Sequence, residues 1–136
     1  MSALGRRNRS NDWAIAQFED AANSGRPIVL WVKTDSSDRR QRRNREQSQQ
    51  FFDNVLNTPA ATAELADCLC LWVDGADLDR DFCREYDISR NRIPQLVIYD
   101  FNGEKLFSVR PTVSPEQMAE AIQEAKERCE ALLERR

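Results

Sequence analysis

The segment from residue 81 to residue 104 constrains the fold of this chain more than any other. It combines a short amphipathic helical pattern, a loop that ends in Ile93-Pro94, the apolar run 96–99 and the dipeptide Asn102-Gly103. Because proline cannot donate a hydrogen bond to a sheet ladder, Pro94 is expected where the loop enters a strand, in the trans or the cis form. Asn-Gly favours a type I′ turn between antiparallel strands. The segment therefore predicts a helix, a proline loop and a β-hairpin in this order.

Two apolar runs predict neighbouring buried strands. Residues 28–32 (Ile-Val-Leu-Trp-Val) and 68–73 (Cys-Leu-Cys-Leu-Trp-Val) are apolar throughout, which is typical of parallel strands covered on both faces. Apolar residues recur at helical spacing from about residue 46 to residue 56, and Thr58-Pro59 then caps a second short helix. These helices predict a crossover between the two strands. A strand, a helical crossover and a parallel strand form a right-handed βαβ unit.

Capping residues mark three further helices. We expect Asp12 and Gly25 to bound the first helix and Asp77 to cap the helix before the proline loop. Residues 114–117 (Ser-Pro-Glu-Gln) combine an N-cap, proline at N1 and a glutamine able to close a capping box, and a long helix with one apolar face follows. The predicted fold class is α/β, with a central mixed sheet of four to five strands flanked by helices on both faces.

Composition is that of a globular protein. The chain has 136 residues, of which 40% are apolar and 32% charged, and this size fits one core. We expect a polar, Arg-rich tail at residues 1–10 and a single domain at 11–136. No apolar run is long enough to cross a membrane, and the N-terminus lacks the apolar centre of a signal peptide. The expectation is therefore a cytoplasmic protein without a membrane partner.

The absence of histidine removes a large part of enzyme chemistry. Without imidazole there is no Ser-His or Cys-His couple and no histidine ligand for a metal. The four cysteines fall on apolar faces of the predicted elements, and their spacings match no common zinc motif. We expect core cysteines, no catalytic residue, no metal site and no cofactor. The positions are Cys68, Cys70, Cys83 and Cys129.

Two stretches resemble the thioredoxin-like superfamily. Residues 83–103 resemble its sequence of helix, short turn, x-Pro, apolar strand and Asx-Gly turn. Residues 57–66, leading into Leu71-Trp-Val-Asp74, resemble the branch in which a second short helix precedes a strand ending in Val-Asp, and residues 33–37 (Lys-Thr-Asp-Ser-Ser) are similar to the cysteine-less UAS domains of ubiquitin-pathway adaptors. The resemblance spans about residues 12–133 and implies a thioredoxin-like fold.

The thiol pair that active members of this superfamily carry is missing. In those members the first cysteine lies at a helix N-terminus, which favours its thiolate, and the second lies three residues on. Here Ser36 or Ser37 stands nearest the first position and Arg39 or Arg40 nearest the second, and Trp31 stands about where a buried acid is often found. A basic insertion at about 33–45 adds roughly eight residues to the pattern of the branch. The resemblance without the thiols implies a domain that is more consistent with binding than with catalysis.

The proline loop is the second part of the expected site. In thioredoxin-like proteins this loop lies beside the cysteine pair and contacts the backbone of a bound polypeptide, so the resemblance implies a surviving contact surface. The alternative is that the proline only shapes the fold. The predicted contact residues for a protein or peptide partner are Ser36, Ser37, Arg39, Arg40, Ile93 and Pro94.

Five arginines within residues 39–45 form a second candidate site. They could bind phosphate, RNA or an acidic partner, although charged loops are usually solvated and no aromatic residues alternate with these arginines to stack on bases. The predicted anion-binding residues are Arg39, Arg40, Arg42, Arg43 and Arg45.

Three functions therefore remain open at the level of sequence. The main prediction is a redox-inactive thioredoxin-like module that binds a protein or peptide, as a monomer or weak dimer. The first alternative is an atypical thiol oxidoreductase or redox sensor that uses Cys83 or Cys129. The second alternative is nucleic-acid or phosphate binding by the arginine cluster, which the net charge of −3 disfavours.

Overall fold

The computed structural model describes residues 12–34, 38–89 and 91–135. Helices and strands alternate along the chain before a C-terminal hairpin and a long final helix. The elements are α1 (Asp12–Ser24), β1 (Ile28–Lys33), a 3₁₀ helix (Arg39–Gln41), α2 (Arg42–Phe51), a π-helical segment (Phe52–Leu56), α3 (Pro59–Leu65), β2 (Leu69–Asp74), a second 3₁₀ helix (Gly75–Asp77), α4 (Arg80–Glu85), β3 (Gln95–Tyr99), β4 (Lys105–Val109) and α5 (Pro115–Glu134).

The four strands form one mixed sheet in the order β2-β1-β3-β4. β1 is parallel to β2 and antiparallel to β3, and β3 is antiparallel to β4. Helices cover both faces, so the predicted α/β fold class is confirmed. The prediction of two buried neighbouring strands is half wrong, because β2 is an edge strand and leaves Trp72 39% exposed.

Two apolar clusters lie on opposite faces of the sheet. Alternate residues of β1 divide between them: Leu30 packs with α1 and α4 on one face, and Trp31 packs with α2, α3 and α5 on the other. Because β1 and β3 are covered on both faces, all of β3 and nearly all of β1 are buried. No described helix is both long and apolar enough to cross a membrane.

Local caps begin the helices largely as the sequence predicts. Thr58 accepts from the Ala61 N–H ahead of α3, and Ser114 and Gln117 close the predicted capping box of α5. Gly25 ends α1 with φ 72°. One prediction was wrong: α4 is capped by Asp79 and not by Asp77, because the chain first forms a 3₁₀ turn after β2.

The hairpin between β3 and β4 is present, but its turn differs from the prediction. A type I′ turn needs positive φ at both central residues, and only Gly103 (φ 85°) has it here. The Asp100 carboxylate instead accepts from the N–H groups of Asn102 and Glu104, at 2.8 and 3.0 Å. This side chain therefore organises a longer turn than Asn-Gly alone predicts.

The crossover helix changes its geometry part-way along. α2 ends at Phe51 and continues as the π-helical segment, in which Val55 and Leu56 are buried. Phe52, which the periodicity placed with these core residues, is 37% exposed. A π turn shifts the helical phase, so a pattern counted at 3.6 residues per turn does not place every apolar residue in the core.

Candidate functional site

The first predicted contact surface follows the end of β1. β1 ends at Lys33, and Thr34 is buried with its N–H donating to the Ser48 hydroxyl on α2, at 3.2 Å. Ser36 and Ser37 lie outside the described residues. The Asp38 carboxylate accepts from the Arg40 N–H at 3.0 Å and caps the 3₁₀ helix.

The five arginines of the cluster lie in the 3₁₀ helix and α2, and their side chains have different surroundings. Arg39 and Arg40 are exposed in the 3₁₀ helix, and Arg43 is exposed on α2. Arg42 donates to Glu46 one turn along α2, at 3.0 Å. Arg45 is half-buried beside Trp31 and Trp72. The five predicted anion-binding residues therefore do not share one environment, because Arg42 is paired with a carboxylate and Arg45 lines a cavity with aromatic walls.

The proline loop lines an open groove. The Ile93-Pro94 peptide bond is cis, and the ladder with β1 begins only at Gln95, so Ile93 and Pro94 precede the sheet. The groove has a volume of about 540 Å³ and lies between this loop, Gln47 of α2 and the end of β4. Ile93 and Pro94 thus share one surface with α2, whereas Arg39 and Arg40 are not among the described residues that line the groove.

Two arginines are among the residues that line the groove. Arg92 precedes Ile93, and Arg110 follows β4, where the hairpin register brings it opposite the start of β3. No carboxylate and no cysteine is found among the described residues that line the groove. An extended segment carrying acidic side chains would be matched by these two guanidinium groups.

The side chain of Ile93 packs toward the apolar core, where it lies close to a glycine. Gly75 follows β2, and a β-carbon at this position would lie 2.1 Å from Ile93 Cδ1 and 3.1 Å from its Cγ1. Ile93 packs against the apolar cluster that contains Val32 and Val73. Close approach to the Gly75 backbone therefore fixes the position of the Ile93 side chain.

Several solved structures have the same arrangement of elements. Trxlp from Edwardsiella tarda matches with a TM-score of 0.52 and 19% identity over 79% of this chain and 91% of that one. The DsbH oxidoreductase matches with a TM-score of 0.60 and 13% identity over 81% of this chain and 78% of that one. A thioredoxin from Thermus thermophilus matches with a TM-score of 0.51 and 18% identity over 80% of this chain and 78% of that one. The chain has a thioredoxin-like fold. No family model and no curated protein matches the sequence.

In this thioredoxin-like fold three of the four cysteines lie at the end of the sheet away from the proline groove. Cys68 precedes β2 and Cys70 lies near its start, whereas the parallel strand β1 leads toward the groove with its C-terminal end. Cys129 of α5 lies near the same N-terminal end of the sheet, where it lines a cavity with Gly25 and Pro27. None of these four cysteines, all of which the structure describes, forms a disulfide, and no group of residues in the described part of the chain is placed to hold a metal ion.

The surroundings of the thiols disfavour their reactive form. Burial raises the pKa of Cys68 to about 12, with a smaller contribution from Cys70, and burial also raises the pKa values of Cys70 and Cys129. Cys83 is buried in the cluster between α1 and α4. Because the thiolate is the nucleophile in disulfide exchange, buried thiols with raised pKa values are poor attacking groups.

Sequence reasoning did not find Arg92 and Arg110. Both were detectable in principle, since Arg92 adjoins the predicted proline loop and Arg110 follows the predicted last strand. Their approach depends on the register between β3 and β4, in which Leu96 is opposite Val109. A single sequence predicts a hairpin but fixes its register only when the turn type is correct.

Proposed function

We propose that this protein is a thioredoxin-like binding module without thiol-disulfide chemistry, and that its proline groove holds an extended polypeptide. The observation that carries the proposal is the groove itself, which joins the cis Ile93-Pro94 loop to α2 and β4 with no cysteine among its described lining residues. The names of the similar structures describe thiol enzymes, and this chain has their fold without a Cys-x-x-Cys sequence.

The charge of the groove favours an acidic segment as the ligand. Arg92 and Arg110 line the groove together with Ile93, Pro94 and Val109. Main-chain groups of an extended peptide can pair with the exposed backbone of the loop, and acidic side chains can reach the two guanidinium groups. We place the partner-binding role on Arg92 and Arg110 together with the predicted Ile93 and Pro94.

Two measurements test the two halves of the proposal. In an insulin-reduction assay with dithiothreitol, the protein and a variant with all four cysteines replaced by alanine should both leave the rate of dithiothreitol alone unchanged. Turnover by the native protein that disappears in the cysteine-free variant would establish the thiol-enzyme alternative.

Binding is tested with two forms of one unfolded peptide, the insulin B chain. Its cysteines are capped either with carboxymethyl groups, which add negative charge, or with neutral carboxamidomethyl groups. We expect the acidic form to shift amide NMR signals of Arg92 and of residues 108–110, and to bind about ten-fold more tightly than the neutral form.

Matched variants assign this binding to the groove. Arg92→Gln with Arg110→Gln should remove the difference between the two peptides. Arg128→Gln is the control, because Arg128 lies on α5 near Asp100 and Leu106, toward the other end of the hairpin. Shifts that avoid the groove, or an equal effect of the control, would refute the site.

A further inference from the structure

A second cavity, distinct from the proline groove, lies beside α2. It has a volume of about 230 Å³ and is enclosed by the ends of β1 and β2, α2 and the first residue of the π-helical segment. Gln47 faces the groove and Ser48 faces this cavity, and the two share no described lining residue. It is therefore a separate candidate site.

Three aromatic side chains contribute to its walls. Trp31 and Trp72 are neighbours in the register of β1 and β2, and Phe52 faces them from the helix. Trp31 is 1% exposed and packs on Phe51 with ring centroids 4.8 Å apart. Trp72 and Phe52, in contrast, are 39% and 37% exposed. Large apolar side chains that share one opening while partly in water are typical of a surface that receives a ligand.

A buried hydrogen-bond donor of Trp31 is without an acceptor. The indole Nε1–H of Trp31 is buried and forms no hydrogen bond with the described residues. Buried polar groups in native proteins almost always have a partner, and a tryptophan N–H can only donate. An acceptor atom on a bound molecule would satisfy this group once the side chains that cover it shift.

Two cationic side chains line the cavity. Lys33 of β1 and Arg45 of α2 are among its lining residues, and Asp74 is opposite Lys33 in the register of β1 and β2. No carboxylate is found among the described lining residues. This lining favours a negatively charged ligand.

The polar part of the cavity wall is fixed before any ligand binds. The Ser48 hydroxyl donates to the Asn44 carbonyl at 2.8 Å and accepts from the Thr34 N–H at 3.2 Å. These two hydrogen bonds link α2 to the end of β1. They therefore fix the distance between the aromatic residues of the sheet and Arg45 on the helix. A preformed site loses little conformational entropy on binding.

We propose that this cavity binds a small aromatic acid. The aromatic ring lies between Trp72 and Phe52, and the carboxylate is directed to Arg45 and Lys33. An oxygen accepts the Trp31 indole N–H after the side chains that cover it shift. The small volume limits the ligand to one or two rings. The inference does not depend on peptide binding in the proline groove.

The test is an NMR titration of the ¹⁵N-labelled protein, in which the Trp31 indole N–H signal reports the site directly. The probe is 2-naphthoate, and 2-naphthamide is the matched neutral compound. We expect a saturable shift of the Trp31 signal with a Kd below about 1 mM for the acid, and affinity about ten-fold lower for the amide.

Variants separate this site from general hydrophobic binding. Trp72→Ala removes one wall, and Arg45→Gln removes one cation; each should weaken naphthoate binding about ten-fold. Phe107→Ala is the control, since Phe107 is a partly buried aromatic residue on the opposite edge strand, under Arg128. The same spectra report whether each variant is folded. The proposal is overturned by the lack of a saturable Trp31 shift, by equal binding of acid and amide, or by unchanged affinity in both cavity variants.

Discussion

The reactivity of Cys68 tests whether burial protects the thiols of this thioredoxin-like domain from reaction. Its ordinary pKa of 9.0 is raised to about 12, chiefly because burial penalises the thiolate. At pH 8 a thiol with a pKa of about 12 has a thiolate fraction roughly a thousand-fold lower than that of an exposed cysteine with a pKa of 9.0. The side chain is also only 6% exposed, which slows the approach of any reagent. We therefore expect Cys68 to react with iodoacetamide at least about a thousand-fold more slowly in the folded protein than in the unfolded chain.

The assay is a time course of alkylation at pH 8, quenched and read by peptide mass spectrometry, with the same protein in guanidinium chloride as the reference. A Gln123→Cys variant supplies an exposed thiol on α5 in the same molecule and shows that the reagent is active. Cys70, Cys83 and Cys129 should also be protected. The reasoning is refuted if Cys68 reacts within about ten-fold of its unfolded rate. Similar rapid reaction of Cys83 or Cys129 would favour the redox-sensor alternative.

Three further predictions concern stability and pH. Tyr99→Phe should lower the free energy of unfolding by about 1–3 kcal/mol in denaturant titrations, because it removes a 2.6 Å hydrogen bond to the Tyr86 carbonyl; little change would show that water replaces the hydroxyl. Ser114→Ala should cost about 1 kcal/mol by removing the cap of α5, and Ser114→Asp should recover most of this loss. A hydrogen bond with Glu64 and a smaller contribution from one with Asp67 raise the pKa of Lys126 above its ordinary value of 10.5. The ammonium group therefore adds to the free energy of unfolding. This contribution is fully present below pH 10.5 and is lost as pH rises through the pKa of Lys126 in the folded protein. Since Lys126 is 22% exposed, Lys126→Met should cost no more than about 1 kcal/mol at pH 8, and the difference in melting temperature between the variant and the unaltered protein should narrow as pH rises from 8 through the folded pKa of Lys126. A constant difference between these two proteins across that pH range would contradict the ion-pair explanation.

Local signals in the sequence predicted most of the elements. The Ser114 capping box, the Thr58 cap and the glycine after α1 depend on neighbours a few residues away, and each was found where expected. The position of β2 in the sheet depends instead on which strands pair. The run 68–73 is as apolar as a central strand, partly because Trp72 serves a cavity and not the core. Edge and centre cannot be distinguished by composition alone.

The candidate site was less accessible to sequence reasoning than the fold. The resemblance to thioredoxin-like proteins supplied Ile93 and Pro94, which lie in the groove, but it supplied neither of the arginines that flank them. The aromatic cavity was also missed, because Trp31 and Trp72 are 41 positions apart and become neighbours only through the parallel register. Sites built across strands are set by register, and register follows from the assembled sheet.

The close contact between Gly75 and Ile93 makes these two positions dependent on each other in size. Alanine at 75 alone would push on the terminal methyl of Ile93 and so alter the backbone that precedes the proline. Valine at 93 lacks that methyl and would make room for the new β-carbon. We therefore expect the double change to restore whatever ligand affinity the single alanine loses, and relatives of this chain that lack the glycine to carry a shorter side chain before the proline.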